Sequence, residues 1–191
     1  MELCMKRIFL LLLMAFVTTV ALAQNPPATP PSPPAAAPGS PETGTKLLAD
    51  VLGFMVGNWE GDGLARGEHE FVGKMSVTSE LEGNAVLVRR ESMNKAGGPS
   101  GGLQEMMIIG YDGTTKKIVA TVYDNKNNIA LYVGESKEGE VDFSLATAAQ
   151  GYVSRRIFKL LPDGGLSFVM EGASPGKEVS KMVEINFKKK T

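Results

Sequence analysis

Cysteine is all but missing. The 191-residue chain carries one, Cys4. It stands before an apolar run, so it is not the lipidated cysteine that follows the cleavage site of a bacterial lipoprotein. Beyond it there is no thiol for a disulfide, a thiolate nucleophile or a Cys-based metal site. A secreted domain of this composition must then be held by its core. Histidine is as scarce: His69 stands alone, flanked by Glu68 and Glu70, and reads as a surface residue before it reads as a base or a metal ligand. No sign of charge dominates either. Without Glu2, Lys6 and Arg7 the chain has 18 basic and 20 acidic residues, a balance that argues against nucleic acid or an anionic membrane surface as partner. Lys188-Lys189-Lys190 reads as a solvated chain end. The one long apolar run, Ile8 to Val17, is short for a membrane span of ~20 residues.

What is present divides the chain into three. Residues 1–23 have the layout of a cleavable secretory signal: Lys6 and Arg7, the apolar run, then Ala21-Leu22-Ala23 before Gln24. No membrane insertion is expected once it is removed. Residues 24–44 hold eight of the 11 prolines, which suits an extended, disordered linker of ~3 Å per residue. Residues 45–191 remain for a single domain. The expected location is secreted or periplasmic.

Within that domain Thr45 can cap a short helix from Lys46 to about Phe54, with Leu47, Leu48, Val51, Leu52 and Met55 on one face. The period then changes to two. From His69 to Leu81, Phe71, Met75, Val77 and Leu81 alternate with Glu70, Lys74, Ser76, Thr78 and Glu80. About ten such strands follow one another at turn signals, with no helix between them. Short turns require antiparallel neighbours, and a meander of this length closes to remove its edges. The expected fold is all-β: an antiparallel up-and-down barrel of about ten strands with a short N-terminal helix. A two-sheet β-sandwich is the alternative.

The stretch Gly57-Asn58-Trp59-Glu60-Gly61-Asp62-Gly63 opens the meander with the only tryptophan. An indole needs burial and an acceptor for its N–H, and the glycines let the strand bend close to its neighbours. Helix, Gly57-x-Trp59 and meander together resemble the calycin barrels, that is lipocalins, fatty-acid-binding proteins and the nitrobindin-like group. Gly57-x-Trp59-x-Gly61-x-Gly63 is most similar to the nitrobindin-like opening. The spacing also resembles an uncharacterised bacterial family of secreted lipocalin-like proteins. The resemblance covers about residues 47–188 and implies a barrel with a ligand site in its lumen. It does not imply haem, because the histidine that nitrobindins use lies late in the chain and His69 lies early. It would also imply an arginine over Trp59. No arginine is present in the last strand, which leaves Arg155 or Arg156 for that place.

Arg89-Arg90 and Arg155-Arg156 are the most informative charges. Strand neighbours point to opposite faces, so each pair sends one guanidinium inward, where it could clamp an anionic ligand. The bland alternative is an arginine paired with a carboxylate or lying over an aromatic ring. With Trp59 and Met75 these four arginines are the candidate ligand-binding residues. The methionines at 55, 75, 93, 106, 107, 170 and 182 suit an adaptable apolar interior. Glu60 and Asp62 read as a solvated rim, and the loop at residues 94–102 as a candidate lid. Ser92-Met93-Asn94-Lys95 and Ser174-Pro175-Gly176-Lys177 match Ser-x-x-Lys but fall at strand ends or turns. Asp124 to Glu135 lacks the glycine of a calcium loop. No cofactor and no metal are expected. The chain therefore reads as a non-catalytic barrel that takes a small apolar or amphipathic ligand, or else as a protein-interaction module with a filled barrel.

Overall fold

The computed structural model of the chain describes residues 41–96, 102–146 and 151–191, with side chains from residue 46 onward. The signal, most of the linker and the centre of the 94–102 loop lie outside the described residues. Helix α1 (Pro41–Leu52) runs into a 3-10 turn (Gly53–Met55). Ten strands follow: β1 (Gly57–Ala65), β2 (His69–Glu80), β3 (Ala85–Asn94), β4 (Leu103–Asp112), β5 (Lys117–Asp124), β6 (Ile129–Lys137), β7 (Glu140–Leu145), β8 (Val153–Leu160), β9 (Leu166–Ala173) and β10 (Ser180–Lys189). Each pairs antiparallel with the next, and β10 pairs with β1, so the sheet is one closed barrel. That is the expected meander, and closure rules out the sandwich. The helix starts at Pro41, before Thr45, so Pro41–Gly44 belong to it and not to a linker. Proline is well suited to a first helical position because its missing N–H has no partner there.

The alternation of β2 explains the wall. Phe71, Met75 and Val77 are buried, whereas Glu70, Lys74 and Thr78 are exposed. Gly61 and Gly73 stand opposite each other across β1 and β2, and both leave room for β10. A Cβ on Gly73 would lie 3.0 Å from Ile185 and 3.2 Å from Phe187, and one on Gly61 would collide with the main chain at Asn186. The glycines of the motif thus allow the last strand to approach the first. Leu81 does not continue β2 inward. It sits at φ 50° in the β2–β3 turn and is 75% exposed, and Asn84 donates to its carbonyl at 2.8 Å. The left-handed turn ends the alternation one residue early.

α1 lies against β3, β4, β7 and the Leu81–Gly83 turn. Its Leu48 and Leu52, with Met55, are fully buried and close that end of the barrel. Trp59 is buried beside them, and its indole N–H donates to the carbonyl of Met55 at 2.7 Å, which satisfies the buried donor. The cation over its ring is Lys189, at 5.5 Å, not Arg155 or Arg156. The C-terminal lysines are therefore not a free end. Lys188 and Lys189 lie in β10, and Lys190 pairs with Glu60 while its N–H donates to Asn58 at 2.8 Å. The closing seam requires these residues to be strand.

Above the helix the interior is filled. Phe143, Phe158, Phe168 and Phe187 are buried to within 2%, and Phe158 packs on Phe168 with ring centroids 4.9 Å apart. Met75 and Met107 fill gaps in the same cluster. The opposite end, formed by the β1–β2, β3–β4, β5–β6, β7–β8 and β9–β10 connections, has no α-helix among the described residues. Its inward residues Ala65, Ala130, Leu145, Met170 and Val183 are only partly buried. We call this end the mouth.

Candidate functional site

Between the packed half and the mouth lies a charged layer. Val86, Val88 and Arg90 share the inward face of β3, and Arg90 is 2% exposed. Across the ladder its neighbours are Met75 on β2 and Glu105 on β4. Arg90 Nη2 reaches Glu105 Oε2 at 3.4 Å, and Nη1 reaches the Ser92 hydroxyl at 3.3 Å. On the far wall Arg156, 7% exposed, comes inward from β8 between Ser154 and Phe158. Its Nη1 donates to Glu105 Oε1 at 2.6 Å. β4 and β8 are four strands apart in the barrel order, so one carboxylate ties together opposite walls. Each guanidinium also lies over a ring: Arg90 over Phe168 at 4.5 Å and Arg156 over Tyr132 at 5.1 Å. The Tyr132 hydroxyl meets Ser154 Oγ at 3.0 Å.

The electrostatics of this layer are uneven. Burial raises the Glu105 carboxyl, but the guanidiniums of Arg90 and Arg156 outweigh it and hold the group below its ordinary value. Burial dominates at Arg90 and lowers it. At Arg156 burial acts downward as well, but Glu105 and then Tyr132 outweigh it and the group is raised. The direct contact to Glu105 at 2.6 Å is the shorter of the two, which fits the difference. The Nε atoms of both arginines are buried with no hydrogen-bond partner among the described residues.

A cleft of about 420 Å³ opens at the mouth over β8, β9 and β10, lined by Tyr152, Ser154, Met170, Gly172, Lys177 and Met182 among others. Two further hollows, of about 290 and 380 Å³, have Arg89, Glu91 and Met106, or Glu60, Lys74 and Ser76, in their walls. Those side chains alternate with the inward ones, which places both hollows on the outer wall. Arg90 and Glu105 also border the 290 Å³ hollow, and the mouth cleft approaches the charged layer only through Ser154 and Met170, the neighbours of Arg156 on β8 and β9.

The sequence candidates separate along the same alternation. Trp59, Met75, Arg90 and Arg156 are inward and form a chain of neighbours through Glu105. Arg89 is exposed on the outer wall. Arg155 is outside too, paired with Asp142 and, at 3.0 Å, with Glu171. Trp59 and Met75 are core residues, 2% exposed. Glu60 and Asp62 do not converge on a pocket with His69: Glu60 pairs with Lys190, Asp62 with Lys95 at 2.9 Å, and His69 is exposed at the mouth rim. Glu105, Tyr132 and Ser154 were missed from sequence. Glu105 had a signal, because it falls in phase with the buried Met107 and Ile109. The described residues contain no group of three or more His, Cys, Asp or Glu side chains placed to hold a metal ion, and no helix long and apolar enough to cross a membrane.

No protein-family model matches the chain, and no curated protein matches it in sequence. Among solved structures, the crystal structure of Rv2717c from M. tuberculosis is similar to it with a TM-score of 0.54. The match covers 73% of this chain and 95% of that one at 12% identity. At that identity the likeness concerns the barrel fold alone.

Proposed function

We propose that the chain is an exported, secreted or periplasmic, lipocalin-like barrel of the calycin type. It takes a small apolar or amphipathic molecule at its mouth and performs no chemistry on it. The observation that carries this reading is the mouth cleft, about 420 Å³ in volume and within the ~300–1,000 Å³ usual for ligand sites, over an interior that is otherwise packed. The ligand sits in the mouth and not along the whole lumen, because the phenylalanine cluster occupies the rest. Affinity comes from covering Met170, Met182 and Tyr152, at about 25 cal/mol per Å² of apolar surface before the costs of association. Export rests on the signal-like residues 1–23, and the proline-rich segment serves as a tether.

Native mass spectrometry of the protein prepared from its own compartment tests the reading. The expected result is a co-purifying small molecule that is lost when Met170 and Gly172 are replaced by Trp. A bare protein that binds no apolar probe would favour the second reading, an interaction module with a filled barrel. One observation speaks for that alternative: Ile108, Tyr123, Ile129 and Leu131, 37–68% exposed, lie together on the outer wall of β4–β6, and exposed apolar patches mark interfaces.

A further inference from the structure

We propose that the outer wall of β3–β6 is the interface of a symmetric dimer, with a second copy of this chain as its occupant. Such an interface is independent of the ligand reading, and it accounts for the exposed apolar wall without a filled-barrel module. Elsewhere ion pairs cover the outside of the barrel. On the β1 side Glu60 is met by Lys190 and Asp62 by Lys95. On β7–β9 Glu140 meets Lys159, and Arg155 meets Asp142 and Glu171. On β4, β5 and β6, by contrast, the outward positions between 104 and 110, 119 and 123, and 129 and 133 carry no charge. A continuous apolar patch marks an interface. Tyr, Met and Arg are the types enriched at such surfaces, and Lys, Glu and Asp are depleted there.

The ladder register selects the occupant. Two rows of cross-strand neighbours run over the patch from β3 to β6. One is Arg89, Met106, Tyr123, Ile129, and the other is Leu87, Ile108, Thr121, Leu131. Each row is complementary to its own reverse. A twofold axis parallel to the strands, between β4 and β5, sets Met106 against the partner's Tyr123, a favourable sulfur–aromatic contact. It also sets Leu87 against the partner's Leu131. Ile129 and Leu131 stand furthest out of the wall, 68% and 54% exposed. The hollow of about 290 Å³ beside Arg89, Met106 and Tyr123 receives Ile129 of the partner subunit, which also covers the apolar stem of Arg89. Arg89 is the one charge in either row. Its twin lies on the opposite flank, so like charges do not meet. Reciprocal contacts of this kind are what an isologous interface requires.

The area is of the right order. The four strands have 8–10 residues each. At ~4.8 Å between strands and ~3.3 Å per residue their outer face projects roughly 600 Å², before side-chain relief is added, against about 800 Å² per partner in a standard interface. The mouth cleft stays open in both copies. β9, at its centre, is five strands from β4 in the ten-strand ring and so faces the other way.

Sedimentation equilibrium of the full mature chain, from about 1 µM to about 1 mM, covers the affinities that weak and standard interfaces give. The expected result is a monomer that becomes a dimer within this range. Ile129→Glu and Leu131→Glu each force a charge into the contact and should weaken it about tenfold or more. Val179→Glu, at an exposed apolar residue outside the patch, should leave it unchanged. Circular dichroism checks that each variant folds. Residues 24–191 contain no cysteine, so introduced thiols report the axis. Met106→Cys and Tyr123→Cys chains, mixed, should be joined by a thiol crosslinker of ~10 Å span, the separation of facing sheets. Ile129→Cys should not be joined to itself, because three strand spacings sideways put its twin about 17 Å away.

A chain that stays monomeric to the highest concentration overturns the dimer and leaves this wall to a different protein. A dimer that neither charged variant weakens overturns the choice of face. Self-linking of Ile129→Cys as readily as Met106→Cys links to Tyr123→Cys overturns the axis. If a charged variant does not fold, the crosslinking pattern decides.

Discussion

The two halves of this barrel are built from the same strands and differ in what those strands turn inward. At the helix end the buried residues are apolar, from Leu48, Leu52 and Met55 to Phe143, Phe168 and Ile185, all within 1% of full burial. At the mouth the same alternation brings in Arg90, Glu105, Arg156, Tyr132 and Ser154, followed by residues that are only partly covered. The helix end stabilises the fold through burial, which tolerates no polar group without a partner. The mouth end keeps charges that a core of the same size does not need, since replacing a buried ionic cluster by apolar residues is often neutral or stabilising. Apolar burial therefore does not account for the polar layer.

Experiments that separate the halves follow from this. The largest loss is expected for Trp59→Ala, about 3–5 kcal/mol by chemical denaturation, because it empties the helix end and removes the acceptor's partner at Met55. Glu105→Leu alone should cost a similar ~3–5 kcal/mol, since it leaves two buried guanidiniums unpaired. The combined Arg90→Met, Glu105→Leu, Arg156→Met chain should recover that loss and reach or exceed the parent by ~1–4 kcal/mol. If it stays as unstable as Glu105→Leu, the layer is structural and the contrast drawn above fails.

A smaller effect is expected from acid. The folded-state value of Glu105 is depressed, so its contribution is fully present above the ordinary carboxyl value of ~4.3 and disappears as pH falls through the lower folded value. Glu105→Gln should therefore flatten the pH dependence of stability below about pH 4 and leave the slope above pH 6 unchanged, measured as urea midpoints across the range. The smallest change belongs to the seam: Lys189→Ala uncovers the Trp59 ring and should cost about 0.5–1 kcal/mol, with tryptophan fluorescence reporting the altered surroundings.

Much of this was legible in sequence, and particular residues show why. Phe71, Met75 and Val77 alternate with charged neighbours, and that period survives into the wall because nothing but a strand presents every second residue to one side. The paired arginines announced one inward member each. Val86 and Val88 already identify Arg90 as that member on β3, and Phe158 does so for Arg156. Glu105 was overlooked although it interrupts the apolar phase of Met107 and Ile109, the same kind of interruption as Arg90. Tyr132 and Ser154 gave no such signal, because each becomes a neighbour of Arg156 only when the wall curls. Leu81 was misplaced because alternation cannot report a left-handed turn, and Lys188–Lys190 were read as a tail because a terminal charge run looks the same whether or not a first strand is waiting for it.

By itself the chain determined the local order: a short helix, a tryptophan between glycines, about ten short alternating strands and the side of each that must avoid water. Those are consequences of backbone geometry and solvation acting over a few residues. Only closure of the barrel decided that Glu105 meets Arg156, 51 residues away, that Lys189 covers Trp59, and that one end is stopped by a helix while the other keeps a cleft. Register and curvature set those distances, and they depend on all ten strands at once.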